Sequence, residues 1–380
     1  MGSPPGPETI IDGKPYLYFA GTAYLGLQGD PRVIEAGCEA MRKYGVHTAT
    51  SRGGFGDNPA TLEVERLAAK FFGTEDAFYF ATGYAGPAIL TAGAEPFDAI
   101  LLDRQAHYAS QEAANLSVKP GGTIDHFKHS DVDDLARVMG QYLPRQPRVL
   151  VMCDGVSPVL GDIAPVAQYQ EVFRRQDGPV ALSVDDAHGV GVLGADGRGC
   201  VELANEKGDI PFALNDDSKV EIRQSLFMCA TLSKAFGGYG GIIPGSAEAI
   251  ARMKAESRWY NGASAPPAGA AGATAKALEI VLAEPQLRHQ LHANVRYLKA
   301  RLRKVGLAVN DTPVPIIPLE LGDAANMRRI QDALKDRGVI IAYIEHYSGV
   351  GPEGCLRIAV FANHTQAMLD RLIDGLAAVI

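Results

Sequence analysis

The sequence predicts an α/β fold with a mostly parallel central sheet. Short β-rich apolar runs alternate with longer stretches at helical spacing, and polar, chemistry-bearing residues stand directly after several of those runs. Ligands of open α/β sheets gather at the carboxyl ends of strands, so the second observation supports the first. At 380 residues the chain is long enough for one large α/β domain with a smaller partner.

The predicted strands are Ala77-Phe78-Tyr79-Phe80, Ala99-Ile100-Leu101-Leu102, Val149-Leu150-Val151-Met152, Val180-Ala181-Leu182-Ser183-Val184 and Leu226-Phe227-Met228-Cys229. Each is too short for a helix and rich in residues that suit a pleated, buried surface. Between Leu62 and Phe72 the apolar Leu62, Leu67, Phe71 and Phe72 alternate with Glu63, Glu65, Arg66 and Lys70, which predicts an amphipathic helix ending at Gly73. After Pro266-Pro267 an Ala-rich helical stretch leads into Leu287-to-Leu302 periodicity and a strand-like run from Val314 to Leu319. A domain change is therefore placed near 265. The expected division is 1–40 joining a small domain, 41–265 as a large ligand-binding domain and 266–380 as the rest of the small one.

Composition excludes several classes. With 36 Lys+Arg against 44 Asp+Glu the formal charge is −8, which argues against nucleic acid as a partner. The five cysteines are far apart and form no C-x-x-C pair, so neither a metal site nor a disulfide framework is suggested. No apolar stretch reaches membrane-spanning length, and a reducing cytoplasm fits best.

The candidate chemistry centres on Lys234 in Thr231-Leu232-Ser233-Lys234-Ala235-Phe236-Gly237-Gly238, after an apolar run. A lysine whose pKa is lowered by burial or a cationic neighbour attacks carbonyls, and a Schiff base with pyridoxal phosphate is a known use; a surface lysine in a Gly-rich loop is the plain alternative. Asp185-Asp186-Ala187-His188-Gly189 follows the run Val180 to Val184. A carboxylate at Asp185 could keep a pyridine nitrogen protonated, with His188 beside it, or the acids could cap the next turn. Thr82-Gly83-Tyr84-Ala85-Gly86 is either a phosphate cradle or a plain strand-to-helix turn. The G-x-G-x-x-G fingerprint is absent from it. His107 could stack on a flat ring or be structural. Ser157 could bond a cofactor oxygen or close a turn, and Arg357 could fork onto a substrate carboxylate or pair with a structural acid.

Taken in order, Tyr24-Leu25-Gly26-Leu27, Ser51-Arg52, Gly56-Asp57-Asn58-Pro59-Ala60, Thr82-Gly83-Tyr84, His107-Tyr108-Ala109-Ser110, Asp154-Gly155-Val156-Ser157, Asp185-Asp186-Ala187-His188-Gly189, Thr231-Leu232-Ser233-Lys234 and Arg357 with Ala362-Asn363-His364-Thr365 resemble the α-oxoamine synthases. These are fold-type I pyridoxal phosphate enzymes, and the likeness covers nearly the whole chain. It implies Lys234 as the Schiff-base lysine, Asp185 on the pyridine nitrogen, His107 on the ring face, and His188 and Ser157 on the ring oxygen. It also implies Gly83, Tyr84, Thr231 and Ser264 at the phosphate, and Arg357, Thr22, Ser51 and Arg52 toward the substrate. A homodimer is implied, together with joining of an amino acid to an acyl thioester. Thr22 stands where the family usually has Asn, and Gly262-Ala263 where it has Ser-Thr. An aminotransferase, or an enzyme using an activated amino acid such as S-adenosylmethionine with another electrophile, is the alternative; a catalytically silent subunit is a third reading.

Overall fold

The computed structural model describes residues 1–92, 94, 96–142, 148–175, 179–205 and 225–380. Twelve strands are described: β1 Glu8–Ile11, β2 Lys14–Phe19, β3 Asp76–Phe80, β4 Phe97–Asp103, β5 Val118–Phe127, β6 Val149–Asp154, β7 Val180–Asp185, β8 Ser225–Thr231, β9 Gly241–Gly245, β10 Ile316–Leu319, β11 Val339–Ile344 and β12 Cys355–Ala359. They form a seven-stranded sheet in the order β3-β9-β8-β7-β6-β4-β5 and a five-stranded sheet in the order β1-β2-β11-β12-β10.

In the large sheet β5, β4, β6, β7 and β8 pair in parallel, and β9 runs antiparallel between β8 and β3. Every predicted strand is present. The central ones are buried along almost their whole length, which is why they read as continuous apolar runs rather than as alternation. Two strands escaped the sequence reading. β9 is Gly-Ile-Ile-Pro-Gly, whose ends carry turn residues, and β5 carries Pro120-Gly121-Gly122 in its middle, so both look like loops locally.

The helix predicted over Leu62–Phe72 runs Pro59–Phe72. Asn58 caps it by accepting the N–H groups of Ala60 and Thr61, Pro59 fills the first turn, and Gly73 ends it at φ 70°. Its N-terminus lies three residues before the first periodic leucine because Asn-Pro, rather than periodicity, sets the start. The Ala-rich stretch forms the helix Ala268–Ala283, and the following periodicity forms Gln286–Lys304. Small residues let Ala268–Ala283 lie close to the helix Pro31–Tyr44: a Cβ on Gly37 would come within 2.9 Å of the Gly269 carbonyl.

The first strands belong to the second sheet. β1 pairs antiparallel with β2, and β2 pairs in parallel with β11, Leu17 opposite Val339. β12, which carries Arg357, lies between β11 and β10.

Candidate active site

The carboxyl ends of β6, β7 and β8 put three functional side chains side by side. Asp154 ends β6, Asp185 ends β7 and Thr231 ends β8; Asp154 stands opposite Asp185 in the ladder, and Asp185 opposite Cys229. Beyond β8 the chain turns through Ser233 and Lys234. The loops after β3 and β4 add Thr82-Gly83-Tyr84 and His107. Together these residues line a cleft of about 650 Å³ with Val156, Pro158, Ala187 and His188.

Lys234 lies at its base. Its Nζ is 2.8 Å from Nε2 of His188. Burial pushes the lysine pKa down to about 8, helped by Arg357 and opposed by Asp185 and Asp154. Burial, then Lys234, Arg357 and His107, hold His188 well below the usual histidine range, so it is neutral. Burial raises Asp185 above the usual carboxylate range, against the pull of Lys234 and His107. Burial and the neighbouring Asp185 raise Asp154 further.

His107 precedes the helix Tyr108–Ser117, and its Nδ1 accepts the N–H of Ala109 at 3.0 Å. The imidazole therefore caps the helix with one nitrogen and leaves Nε2 for the cleft. Tyr84 meets the same ring edge-on at 5.6 Å between centroids, and is itself exposed at the mouth.

The turn Gly83–Ala85 is 3₁₀, whose first amides have no partner within the turn. A Cβ on Gly83 would sit 2.7 Å from the Thr231 side chain, so only glycine lets the turn after β3 close on the end of β8. Thr231 Oγ1 lies 2.7 Å from Ser233 Oγ and donates to the Gly240 carbonyl. A hydroxyl pair, open amides, a half-buried carboxylate, an imidazole and an amine of lowered pKa are a donor set that fits a phosphorylated pyridine aldehyde.

Not every expected residue reaches this cleft. Ser157 is buried, and its Oγ accepts the N–H of Leu160 at 3.1 Å; it closes the turn after β6, and its neighbours Val156 and Pro158 line the cleft instead. Arg52, expected toward the substrate, lines the smaller adjoining cavity rather than this cleft. Its guanidinium donates to Glu65 at 2.6 Å, to Asp57 at 2.5 Å and to the Tyr79 carbonyl at 2.8 Å, and the side chain is 3% exposed. It anchors the helix Pro59–Phe72 to β3. Ser51 forms a β-bridge with Ser264, and Ser264 lines a smaller adjoining cavity of about 370 Å³ that shares Thr82 with the main cleft. Thr22 stands outside both cavities, its carbonyl accepting the Tyr24 N–H.

Arg357 lies behind the cleft rather than in its lining. It donates to the carbonyls of Pro158 at 2.8 Å and Gly21 at 3.1 Å and to the Tyr24 hydroxyl at 3.3 Å. That leaves two of its five N–H donors. Two site residues escaped the reading from sequence, although both stood inside quoted motifs: Asp154, a strand-end acid like Asp185, and Tyr24, whose hydroxyl is 2.8 Å from Nδ1 of His188. Asp154 carried the same strand-end signal as Asp185. Nothing local marked Tyr24, because its neighbours are 164 and 333 residues away.

The aminotransferase class I and II family model matches residues 15–376. The chain belongs to that family. It is 33% identical over 370 residues to 8-amino-7-oxononanoate synthase of Chromohalobacter salexigens, covering 97% of this chain and 90% of that one. It is 32% identical over 377 residues to the enzyme of the same name from Methylococcus capsulatus, covering 99% and 92%. Among solved structures it resembles serine palmitoyltransferase from S. paucimobilis, solved with bound PLP and myriocin, at a TM-score of 0.88 and 27% identity over 100% of this chain and 91% of that one. Serine palmitoyltransferase of Sphingomonas wittichii matches at 0.88 and 26% over the same shares. The expected resemblance to the α-oxoamine synthases, and with it the α/β fold and the pyridoxal phosphate cofactor, is borne out.

Proposed function

We propose that this chain joins the α-carbon of an amino acid to the acyl group of a thioester, with loss of carbon dioxide. The observation that carries the reading is Lys234, an amine of lowered pKa, sharing one cleft with Asp185 and His107. Pyridoxal phosphate, when bound, supplies an electron sink for carbanion chemistry at the amino acid.

The chain's own residues then divide the work. Lys234 would provide the amine that attaches the cofactor and would handle the α-proton. Asp185 would hold the pyridine nitrogen and His107 would lie against the ring. Gly83, Tyr84 and Thr231, with Ser264 in the adjoining cavity, would take the phosphate. His188 would face the phenolic oxygen, and Arg357, just behind the lining, would offer its remaining N–H donors to the substrate carboxylate. In the overall balance the bond from the α-carbon to the carboxylate breaks, the bond to the acyl carbon forms, and the thiol leaves.

Amino acid, excess acyl thioester and enzyme should yield carbon dioxide, free thiol and an aminoketone. Steady amino acid with no thiol released contradicts the proposal, and a 2-keto acid formed from the amino acid would point to aminotransfer. Borohydride reduction and peptide mapping should label Lys234; label on another lysine removes the site assignment.

A homodimer belongs to the same reading. Exposed Phe55, Tyr84, Tyr108, Tyr239 and Trp259 are apolar side chains that a second copy could cover. Sedimentation should give twice the chain mass. No helix among the described residues is long and apolar enough to cross a membrane. All five cysteines are free, which supports a cytoplasmic setting.

A further inference from the structure

Arg357, Tyr24, His188 and Lys234 form one chain of polar contacts. Nη2 of Arg357 reaches the Tyr24 hydroxyl at 3.3 Å, that hydroxyl reaches Nδ1 of His188 at 2.8 Å, and Nε2 of His188 reaches Nζ of Lys234 at 2.8 Å. Tyr24 is fully buried, and among the described residues its hydroxyl meets only Arg357 and His188.

The direction of the chain follows from what each group can do. A guanidinium donates and never accepts, so it takes a lone pair of the Tyr24 oxygen. The phenolic hydrogen is then left with a single acceptor, Nδ1 of His188; reversing that bond would bury an unpaired hydroxyl hydrogen. A neutral imidazole that accepts at Nδ1 carries its hydrogen on Nε2, the nitrogen facing Lys234. A hydrogen on Nε2 is matched by a lone pair on Nζ and opposed by an ammonium, which has none to offer.

We infer that Tyr24 is a positioning residue which, through His188, favours the neutral amine form of Lys234 that attacks the cofactor's aldehyde. The inference rests on the reading of Lys234 as the attachment lysine. Burial keeps the Tyr24 phenol protonated by raising it to about 12. The charged surroundings of Lys234 pull both ways. Asp154 and Asp185, from the ends of β6 and β7, favour the ammonium; Arg357, from β12, opposes it, and His107 and His188 complete the shell. With charges pulling both ways, the orientation of the imidazole hydrogen shifts the protonation state of Lys234.

The test is competitive acylation of the full-length protein, freed of cofactor, with acetic anhydride between pH 6 and 10. The extent at Lys234 is read by peptide mass mapping. Wild-type protein should titrate near pH 8. In Tyr24→Phe, Nδ1 loses its donor, the tautomer is free to switch, and the Nε2 lone pair favours the ammonium. The midpoint should rise by about one unit, leaving roughly tenfold less neutral amine at pH 7. An unchanged midpoint in a folded Tyr24→Phe protein overturns the inference. If that variant does not fold, nitrogen-15 spectra of histidine-labelled wild type decide, with His188 assigned through His188→Gln: hydrogen on Nε2 supports the inference and hydrogen on Nδ1 overturns it. These readouts need no cofactor, so failure of the attachment assignment, seen as borohydride label elsewhere, is separately visible.

Discussion

Asp154 accepts the backbone N–H of His107 through both carboxylate oxygens, at 3.1 and 3.0 Å. The bond crosses from the end of β6 to the turn after β4 and fixes where the His107 ring stands over the cleft. It also brings a second acid beside Asp185, and the Asp185 carboxylate makes ionisation of Asp154 harder.

Removing that acceptor should loosen the ring without emptying the site. Asp154→Ala is expected to lower kcat by about tenfold, the equivalent of one buried hydrogen bond. KM for the amino acid should change little, because Arg357 is untouched. Steady-state kinetics check this; a rise in KM with unchanged kcat would assign Asp154 to substrate binding instead.

Asp185 predicts opposite effects on function and stability. Asp185→Ala should weaken cofactor binding by about 1.5–3 kcal/mol, the range for a hydrogen bond to a charged partner, or roughly 10- to 150-fold in Kd. Its folded pKa lies above its unfolded value, so the folded state binds the extra proton and stability falls as pH rises from the usual carboxylate value upward. At pH 7 the cofactor-free variant should therefore be at least as stable as wild type. Equilibrium dialysis and urea titration read the two effects, and a marked loss of stability would show that the carboxylate is structural.

What the sequence disclosed and what it withheld follow from locality. The central strands and the helix ending at Gly73 were legible because burial and capping are written within a few residues. Lys234, Asp185, His188 and Gly83 were legible because each stands directly beside a strand end. The ion pairing of Arg52 was not legible because its partners Glu65 and the Tyr79 carbonyl come from other elements, and an arginine's commitments are invisible until those elements pack. Ser157 shows the reverse. Its turn was one of the two readings open, and the Leu160 N–H is the partner that realises it.

Arg52 and Glu65 give a direct check of that ion pairing. Glu65 is buried, and besides Arg52 it accepts the Tyr79 N–H at 2.9 Å and Lys254 Nζ at 3.0 Å. Arg52→Leu strips the main cation from a buried carboxylate, which should cost about 3–5 kcal/mol in denaturant unfolding. Adding Glu65→Gln should recover part of it. If Arg52→Leu leaves stability unchanged and instead raises KM for the amino acid, the structural assignment fails.

His364 predicts the acid limit of the fold. Its Nδ1 accepts the Phe361 N–H at 2.9 Å, its Nε2 lies 3.1 Å from the Tyr18 carbonyl, and its ring stacks on Phe361 at 4.9 Å and Phe19 at 4.2 Å. It therefore ties β2 to the segment after β12. An imidazole that accepts at Nδ1 must be neutral, and burial lowers its pKa to about 4. The unfolded chain, with a histidine near about 6.5, binds the proton more readily. The stability from neutral His364 is thus complete above about pH 6.5 and falls by up to about 1.4 kcal/mol per unit as pH drops toward 4. His364→Gln should be less stable than wild type at pH 7 through the lost contacts, and that deficit should narrow at pH 5. Urea titrations of both proteins at the two pH values measure it; a deficit of equal size at both would show that His364 does not carry the acid sensitivity.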